Sequence, residues 1–403
     1  MSSRTCSTNW DLLLINADDM DRSNYKRLGD YIRSVDVRNR DLTVTNLLGV
    51  SISKTFIPSI ANTIGTDMST YKVVEPYQFA YGPVTSRNGD KITFALYKGT
   101  EKCIISQAYE TFEIIDKELL DPDYLMMWAL RPEFDRYARF KSNGSAREIF
   151  SLDEMCEVYL PVPDIATQRR IVAEYQAVEK RIATNEQLIA KHEETAQTIY
   201  KKMFVDDIDP AHLPDGWKQG TLSDLGVVVT GKTPSSEYPE DFGKDVPFLT
   251  PGDFHPGLKY IDYTERNLSI GGAQKLASKM LYKNDVAVTC IGYVGKVVVV
   301  PEKCITNQQI NSIRVSDPNM SDFAYYYLCS ITQELENAAV GSSTLPLLNK
   351  SAFELIHCPI PPQELLYVFY DKLKPINSLT LSLEQENVNN RTLLELLLSK
   401  MSK

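Results

Sequence analysis

Ile171-Val172-Ala173-Glu174-Tyr175-Gln176-Ala177-Val178 opens a stretch whose seam positions step alternately by four and three residues. The seam continues through Ile182, Asn185, Ile189, His192, Ala196, Ile199 and Met203, a heptad pattern that predicts one long helix with a narrow apolar stripe. The same register returns 198 positions later at Phe369, Leu373, Ile376, Thr380, Leu383, Asn387, Asn390, Leu394, Leu397 and Met401. Pro161-Val162-Pro163 precedes the first stretch and Pro359-Ile360-Pro361 the second. Upstream, Gly144-Ser145 answers Gly341-Ser342, and Glu101-Lys102-Cys103-Ile104 answers Glu302-Lys303-Cys304-Ile305. The chain therefore reads as domain, helix, domain, helix, and each globular part of about 150 residues suffices for a core of its own.

Two narrow stripes satisfy each other when their helices pair, and the connectivity then demands an antiparallel pair. Some 40 residues at about 1.5 Å each give a rod of roughly 60 Å, with one module expected at each end. A symmetric overlap of the seams places Asn185 opposite Asn387, a polar pair able to fix register; the alternative is that both asparagines face solvent. Pro375 interrupts the second stripe, and an interior proline either kinks a helix or marks where the regular helix begins. The boundaries that follow are a polar leader at 1–24, module one at 25–160, a spacer helix at 161–204, module two at 205–360 and a second spacer helix at 361–403.

Within each module, strand-like runs such as Lys91–Tyr97 and Val297–Val300 alternate with Gly, Pro and Asn turns. A helical patch follows late in each, Tyr124–Leu130 and Phe323–Leu328. The expected class is α+β: two similar α/β modules separated by two long antiparallel helices forming a coiled coil, with a pseudo-two-fold internal repeat. Residues 206–216 have the Asp, Pro and Gly density of a linker.

At 403 residues and 43% apolar content the chain has room for two or three domains. Leu12-Leu13-Leu14-Ile15 is too short for a signal-peptide core and is flanked by acidic residues. Seven scattered cysteines without a Cys-x-x-Cys pair fit a reducing cytoplasm. The net charge of −10 argues against bulk electrostatic attraction to nucleic acid. Residues 25–147 hold 17 Lys+Arg against 15 Asp+Glu, and residues 205–360 hold 12 against 19, so neither module is strongly basic and weak DNA binding by the chain alone is expected.

Chemistry-bearing motifs are sparse. Gly226-Val227-Val228-Val229-Thr230-Gly231-Lys232-Thr233 matches G-x-x-x-x-G-K-[ST], but its interior is strand-like and Pro234-Ser235-Ser236 stands where a phosphate-binding loop needs a helix. The four histidines are far apart, and the sequence shows no metal-ligand spacing, Gly-x-Ser-x-Gly elbow or methyltransferase signature. No catalytic residue and no metal site is expected.

Leu213-Pro214-Asp215-Gly216-Trp217, Thr230-Gly231-Lys232-Thr233-Pro234, Phe248-Leu249-Thr250-Pro251-Gly252-Asp253 and Cys304-Ile305-Thr306-Asn307-Gln308-Gln309 resemble a target recognition domain of the specificity subunit of a Type I restriction-modification enzyme. Gly341-Ser342-Ser343 before Cys358-Pro359-Ile360-Pro361, and Leu160-Pro161-Val162-Pro163 before Gln168-Arg169-Arg170-Ile171-Val172, are similar to that family too. Module one lacks the Leu-Pro-x-Gly-Trp opening, and Pro362-Gln363-Glu364 keeps the family's Pro-x-x-x-Gln only in part. The resemblance implies a non-catalytic subunit that binds double-stranded DNA and docks two modification (methyltransferase) subunits, with restriction/translocase subunits joining. It also implies that S-adenosylmethionine, ATP and Mg2+ belong to those partners.

A rod holding two unlike modules apart implies an asymmetric target in two parts around an unread spacer. Polar side chains in loops near the repeated strands are the candidate DNA contacts: Arg38, Asn39, Arg40, Lys54, Thr85, Ser86, Arg87, Asn88 and Gln107 in module one. In module two they are Lys232, Thr233, Ser235, Thr250, Asp253, Tyr293, Lys296, Asn307, Gln308 and Gln309. A structural role competes at each position, most of all at Gln107 and Gln308, which recur in both halves. The competing functional readings are a coiled-coil scaffold whose modules bind protein rather than DNA, and an enzyme of unknown chemistry built on module two.

Overall fold

The computed structural model describes residues 24–59, 65–86, 89–142, 148–255, 257–261, 263–339 and 346–401. The expected leader thus lies outside the described residues except for Asn24. The chain divides into two compact units, residues 1–180 with 392–403, and residues 181–391. The division falls inside both long helices.

The first unit contains β1 (Tyr25–Arg27), β2 (Ile32–Ser34), β3 (Leu48–Val50), β4 (Phe56–Pro58), β5 (Lys72–Val74), β6 (Phe79–Tyr81), β7 (Phe94–Leu96), β8 (Cys103–Ile105), β9 (Glu110–Ile114) and β10 (Tyr159–Pro161). Four of them form an antiparallel sheet in the order β2-β9-β6-β7. Phe79, Phe94 and Phe112 project from neighbouring strands into the core, and the Phe79 and Phe112 rings stack with centroids 4.9 Å apart. Helices α1 (Pro122–Leu130), α2 (Pro132–Lys141) and α3 (Leu152–Cys156) follow the sheet. Asp121 caps α1 by accepting from the amides of Asp123 and Tyr124, and Pro122 supplies a first turn that needs no donor.

Helix α4 (Ile165–Phe204) begins in this unit. Fully buried Gln168 anchors it: Nε2 donates to the carbonyls of Leu119 (2.9 Å) and Pro163 (2.8 Å), and Oε1 accepts from the Asp121 amide at 2.8 Å. Val172 and Tyr175 enter the core together with Met401, while Ile171, Leu394 and Leu397 pack at its margin. Val178 is half-buried.

The second unit contains β11 (Lys218–Thr221), β12 (Gly226–Thr230), β13 (Phe242–Gly243), β14 (Val246–Leu249), β15 (Arg266–Leu268), β16 (Val286–Thr289), β17 (Val297–Val299), β18 (Ile305–Thr306), β19 (Ile310–Val315) and β20 (His357–Ile360). Its helices are α5 (Ile270–Lys275), α6 (Met320–Ser330), α7 (Thr332–Ala338), α8 (Lys350–Glu354) and the part of α9 (Gln363–Lys400) that precedes Thr392. The sheet order β12-β19-β16-β17 repeats β2-β9-β6-β7 strand for strand. In both units the first and last strands pair antiparallel, β1 with β10 and β11 with β20. The units differ beside the main sheet, where β14 pairs parallel with β18 in a second four-stranded sheet, whereas β5 and β8 pair antiparallel on their own.

In the second unit α9 runs antiparallel to α4. Asn185 Nδ2 donates to Asn387 Oδ1 at 2.9 Å, His192 Nδ1 lies 3.1 Å from Thr380 Oγ1, and the Tyr200 and Phe369 rings meet at 6.2 Å, so positions rise along one helix as they fall along the other. Asn185, Ile189, Ala196, Phe369, Leu373, Thr380, Leu383 and Asn387 are buried, and Ile182, His192, Ile199, Met203, Ile376 and Asn390 are half-buried. Arg181 grips Glu386 with two nitrogens, at 2.7 and 3.0 Å. Pro375 does not mark the start of the helix, because α9 is already helical from Gln363 and continues through the proline. Burial of Leu373 and Thr380 on either side offsets the backbone bond that proline removes. Phe204 packs on Phe323 of α6 at 5.0 Å and on Phe369 at 4.9 Å, joining module and helices in one core.

Candidate nucleic-acid interface

Strand direction alone gathers most of the candidate residues. In the second unit β12 ends at Thr230 and β16 at Thr289, while β17 starts at Val297 and β19 at Ile310. The register pairs Thr230 with Asn311, Thr289 with Ile310 and Val288 with Val297, so all four termini share one end of the sheet. The connections leaving that end carry Lys232, Thr233, Ser235, Tyr293, Lys296, Asn307, Gln308 and Gln309.

They form a built surface. The Lys232 amide donates to the Thr306 carbonyl (2.9 Å), and Thr233 Oγ1 donates to Gln308 Oε1 at 2.6 Å. Gly231 permits this approach, since a Cβ there would stand 2.2 Å from the Asn307 carbonyl oxygen. The stretch that spells a P-loop is thus strand β12 meeting a neighbouring loop, with its glycine needed for close packing rather than for a phosphate. Asn307 is buried and staples its own turn: Nδ2 donates to Gln309 Oε1 (2.9 Å) and Oδ1 accepts from the Gln309 amide (3.0 Å). Ser235 accepts from the Glu237 amide at 3.2 Å.

Between β16 and β17, Gly292 and Gly295 adopt φ of +79° and +91°, a left-handed backbone that glycine allows cheaply. They hold Tyr293 out with 78% of its surface exposed, and Lys296 Nζ lies 5.6 Å from its ring centroid. This loop, Thr332 and Glu336 of α7 and Pro346 border a cleft of about 490 Å³. The Gly292 amide donates to the Pro346 carbonyl at 3.1 Å, pinning the loop to the segment before α8.

The first unit repeats the arrangement. Ser34, Tyr81, Phe94 and Glu110 bring the ends of β2, β6, β7 and β9 together, with Tyr81 paired to both Phe94 and Glu110. Arg38, Asn39 and Arg40 follow β2, Thr85 and Ser86 lie between β6 and β7, and Gln107 precedes β9. The Thr85 amide donates to the Glu148 carbonyl at 3.0 Å, the counterpart of the Gly292 to Pro346 bond. Arg87 and Asn88 lie outside the described residues.

Several candidates are corrected by their surroundings. Lys54, at φ +61° between β3 and β4, is buried with Nζ 2.8 Å from Asp135 Oδ1 and bonded to the Ala129 carbonyl; burial pushes its pKa down. It is a core ion pair, not a DNA contact. Asn39 is buried and bonds both backbone groups of Val44. Thr85 is buried and donates to Ser142 Oγ at 2.9 Å. Thr250 and Asp253 cap each other, with Oδ2 accepting from the Thr250 amide and hydroxyl at 2.7 Å each, and the Asp253 side chain is buried. Arg38 is tied to Asp36 at 2.8 Å and to the Thr70 carbonyl. Gln107 and Gln308 have different surroundings, since Gln308 holds Thr233 whereas Gln107 is exposed. Arg40, Ser86, Gln107, Lys232, Ser235, Tyr293, Lys296 and Gln308 stay exposed.

Sequence reading missed Arg139. Its guanidinium bonds the carbonyls of Thr85 (3.3 Å) and Gly89 (3.0 Å) and pairs with Glu148 at 3.3 Å, so a residue of α2 braces the loop between β6 and β7. No local spacing announces such a contact. Among the described residues no group of three or more His, Cys, Asp or Glu is placed to hold a metal ion. Nor is any described helix long and apolar enough to cross a membrane.

Two units of like strand order, each ending in polar sheet-end loops and carrying long helices, define a two-module architecture. Residues 214–392 match the family model described as the Type I restriction modification DNA specificity domain. The HindI specificity subunit of Haemophilus influenzae is 27% identical, with 70% of this chain and 76% of that one covered. The MjaIX specificity subunit of Methanocaldococcus jannaschii is 28% identical over 39% of this chain and 37% of its own. The Type I restriction-modification S subunit from M. genitalium shares the fold at a TM-score of 0.56 and 13% identity, covering 94% of this chain and 95% of that one. Residues 214–392 thus match a Type I restriction modification DNA specificity domain, and over 70% of its length the chain is similar to a specificity subunit of that kind.

Proposed function

We propose that each unit reads one half of an asymmetric, divided DNA target through the loops at its sheet end. One observation carries this reading: in both units the candidate side chains that escape burial collect at the same end of a sheet of the same strand order. Arg40, Lys232, Lys296 and Tyr293 suit phosphate, base-edge and stacking contacts, while Gln107 and Gln308 offer paired donors and acceptors to base edges. The paired helices act as a coiled coil that sets the interval between the half-sites and docks two modification subunits, and the two modules are internal repeats of one another. Restriction subunits complete the assembly, and S-adenosylmethionine, ATP and Mg2+ serve those partners. This chain contributes no reacting group and acts in the cytoplasm.

Among the described residues few basic side chains are exposed at the sheet ends, and Arg38 and Arg139 are already engaged with carboxylates. The modification subunits therefore supply much of the phosphate affinity. The test combines the chain with its modification subunits and S-adenosylmethionine on random-sequence duplexes and maps the methylated sites. A divided, asymmetric motif is expected, and replacing residues 205–360 by the equivalent segment of a relative should change one half only. Methylation without a divided motif, or a change in both halves, contradicts the reading.

A further inference from the structure

We infer that two equivalent polar joints, Lys259–Asp322–Asn377 in the second unit and Lys98–Asp123–Glu179 in the first, are positioning residues that decide how strictly each module is held on its helix, and hence how strictly the half-site interval is measured. The inference rests on the function proposed above. The equivalence is visible in the chain. Asp123 opens Asp-Tyr-Leu-Met-Met-Trp near the start of α1, Asp322 opens Asp-Phe-Ala-Tyr-Tyr-Tyr near the start of α6, and Glu179 and Asn377 stand 198 positions apart in the repeated helices. The lysines come from different loops, Lys98 from behind β7 and Lys259 from between β14 and β15. A cation arriving at one place by two routes is a requirement of the joint rather than a relic of duplication.

The joints differ in burial and in charge balance. In the second unit Lys259 and Asp322 are buried, with Nζ 2.6 Å from Asp322 Oδ1 and 2.9 Å from Asn377 Oδ1. Asn377 Nδ2 donates to both Asp322 oxygens at 2.9 Å, and the Tyr326 ring centroid lies 4.8 Å from the ammonium. One cation, one anion and one amide satisfy each other away from water. In the first unit Lys98 pairs with Asp123, but 54% of the lysine side chain is exposed. Glu179 occupies on α4 the position that Asn377 occupies on α9, and it is exposed, with the charges of Lys98 and Asp123 both acting on its carboxyl. The first joint is thus a partly solvated ion pair with a second carboxylate, on the helix, in place of the amide. A solvated pair constrains geometry weakly, whereas a buried, fully hydrogen-bonded one resists displacement strongly. The second module is held stiffly on its helix and the first more loosely.

One base pair of spacer moves a half-site by about 3.4 Å and turns it by about 35°, so a loose joint tolerates a changed spacer and a stiff one rejects it. The experiment uses the complex with its modification subunits and compares initial methylation rates on duplexes with the native spacer and with one base pair added or removed. Asn377→Asp gives the second joint the charge set of the first and should raise the altered-to-native rate ratio at least about threefold. Glu179→Asn does the reverse and should lower it, with the base preferences of both half-sites unchanged. Unchanged ratios in variants that methylate the native site normally overturn the inference while leaving the proposed function intact. Should Asn377→Asp fail to assemble, Glu179→Asn at the solvated joint decides alone, and an unchanged ratio from it overturns the inference. A complex that methylates no divided site overturns the functional reading and this inference together.

Discussion

The two units share a strand order but fill their sheet ends with different chemistry. In the first, Arg38 is held by Asp36 and Arg139 by Glu148, so much of the positive charge is already paired within the module. In the second, Lys232 and Lys296 are exposed and Tyr293 stands out between two left-handed glycines. Framework is repeated where backbone pairing sets it, and chemistry diverges where the strands let go. The proposed reading of two different short sequences with one construction needs that division.

The comparison breaks most visibly in the cores. Phe369→Ala opens a hole where Phe204, Tyr200 and Tyr326 converge in the second unit and should cost about 3–5 kcal/mol there. Chemical unfolding followed by hydrogen exchange should show the loss in residues 181–391 while strands β2, β6 and β9 keep their protection. Lys54→Ala leaves Asp135 buried beside the Ile92 amide without its cation, and should destabilise the first unit by about 3–5 kcal/mol in the same assay. Arg40→Ala, 14 positions earlier in the same module, should leave unfolding unchanged and lower methylation at one half-site only. Stability loss from Arg40→Ala, or none from Lys54→Ala, would reverse the roles assigned to them.

Smaller effects sharpen the contrast. Replacing Lys232 and Lys296 together by alanine should flatten the salt dependence of DNA binding by the full complex, by roughly 0.9 in log–log slope for each lost phosphate contact. The corresponding loss at Lys54 should be nil, because that charge never reaches DNA. Glu179 supplies a pH signature. Its folded carboxyl titrates above its ordinary value because partial desolvation disfavours the charged form, so the folded state holds the proton longer than the unfolded chain does. Stability of the first unit should therefore fall as pH rises from about 4.5 through the raised pKa, and Glu179→Gln should remove that slope in thermal melts. Least of all, burial pushes the thiols of Cys103 and Cys290 up to about 11 and that of Cys304 up to about 12. Alkylation of these three at neutral pH should be negligible until the chain unfolds.

What was legible in the sequence depended on how local the signal was. Seam spacing is written in neighbours three and four residues apart, and no seam position is exposed in the folded chain. The runs Tyr124–Leu130 and Phe323–Leu328 lie in α1 and α6 for the same reason. Lys54 shows the opposite case. Polar neighbours made it look like a solvent-facing loop cation, yet its partner Asp135 belongs to a helix far along the chain, and nothing near Lys54 announces it. Thr250 and Asp253 carried a local signal of a different meaning, since a Thr with an acidic residue three positions on is the sign of a mutual cap rather than of a DNA contact. Arg139 had no signal at all, its three partners lying on loops that only folding brings to it.

Because β1 lies beside β10 and β11 beside β20, each module begins and ends on adjacent antiparallel strands, the last of which leads into a long helix. A foreign insert whose ends meet in the same antiparallel register would close the same short seam, so exchange of whole modules between relatives asks the chain to preserve one pair of neighbouring strands and little else. Under the proposed function, a shuffled insert would change the word that is read while the arms that receive it stay as they are.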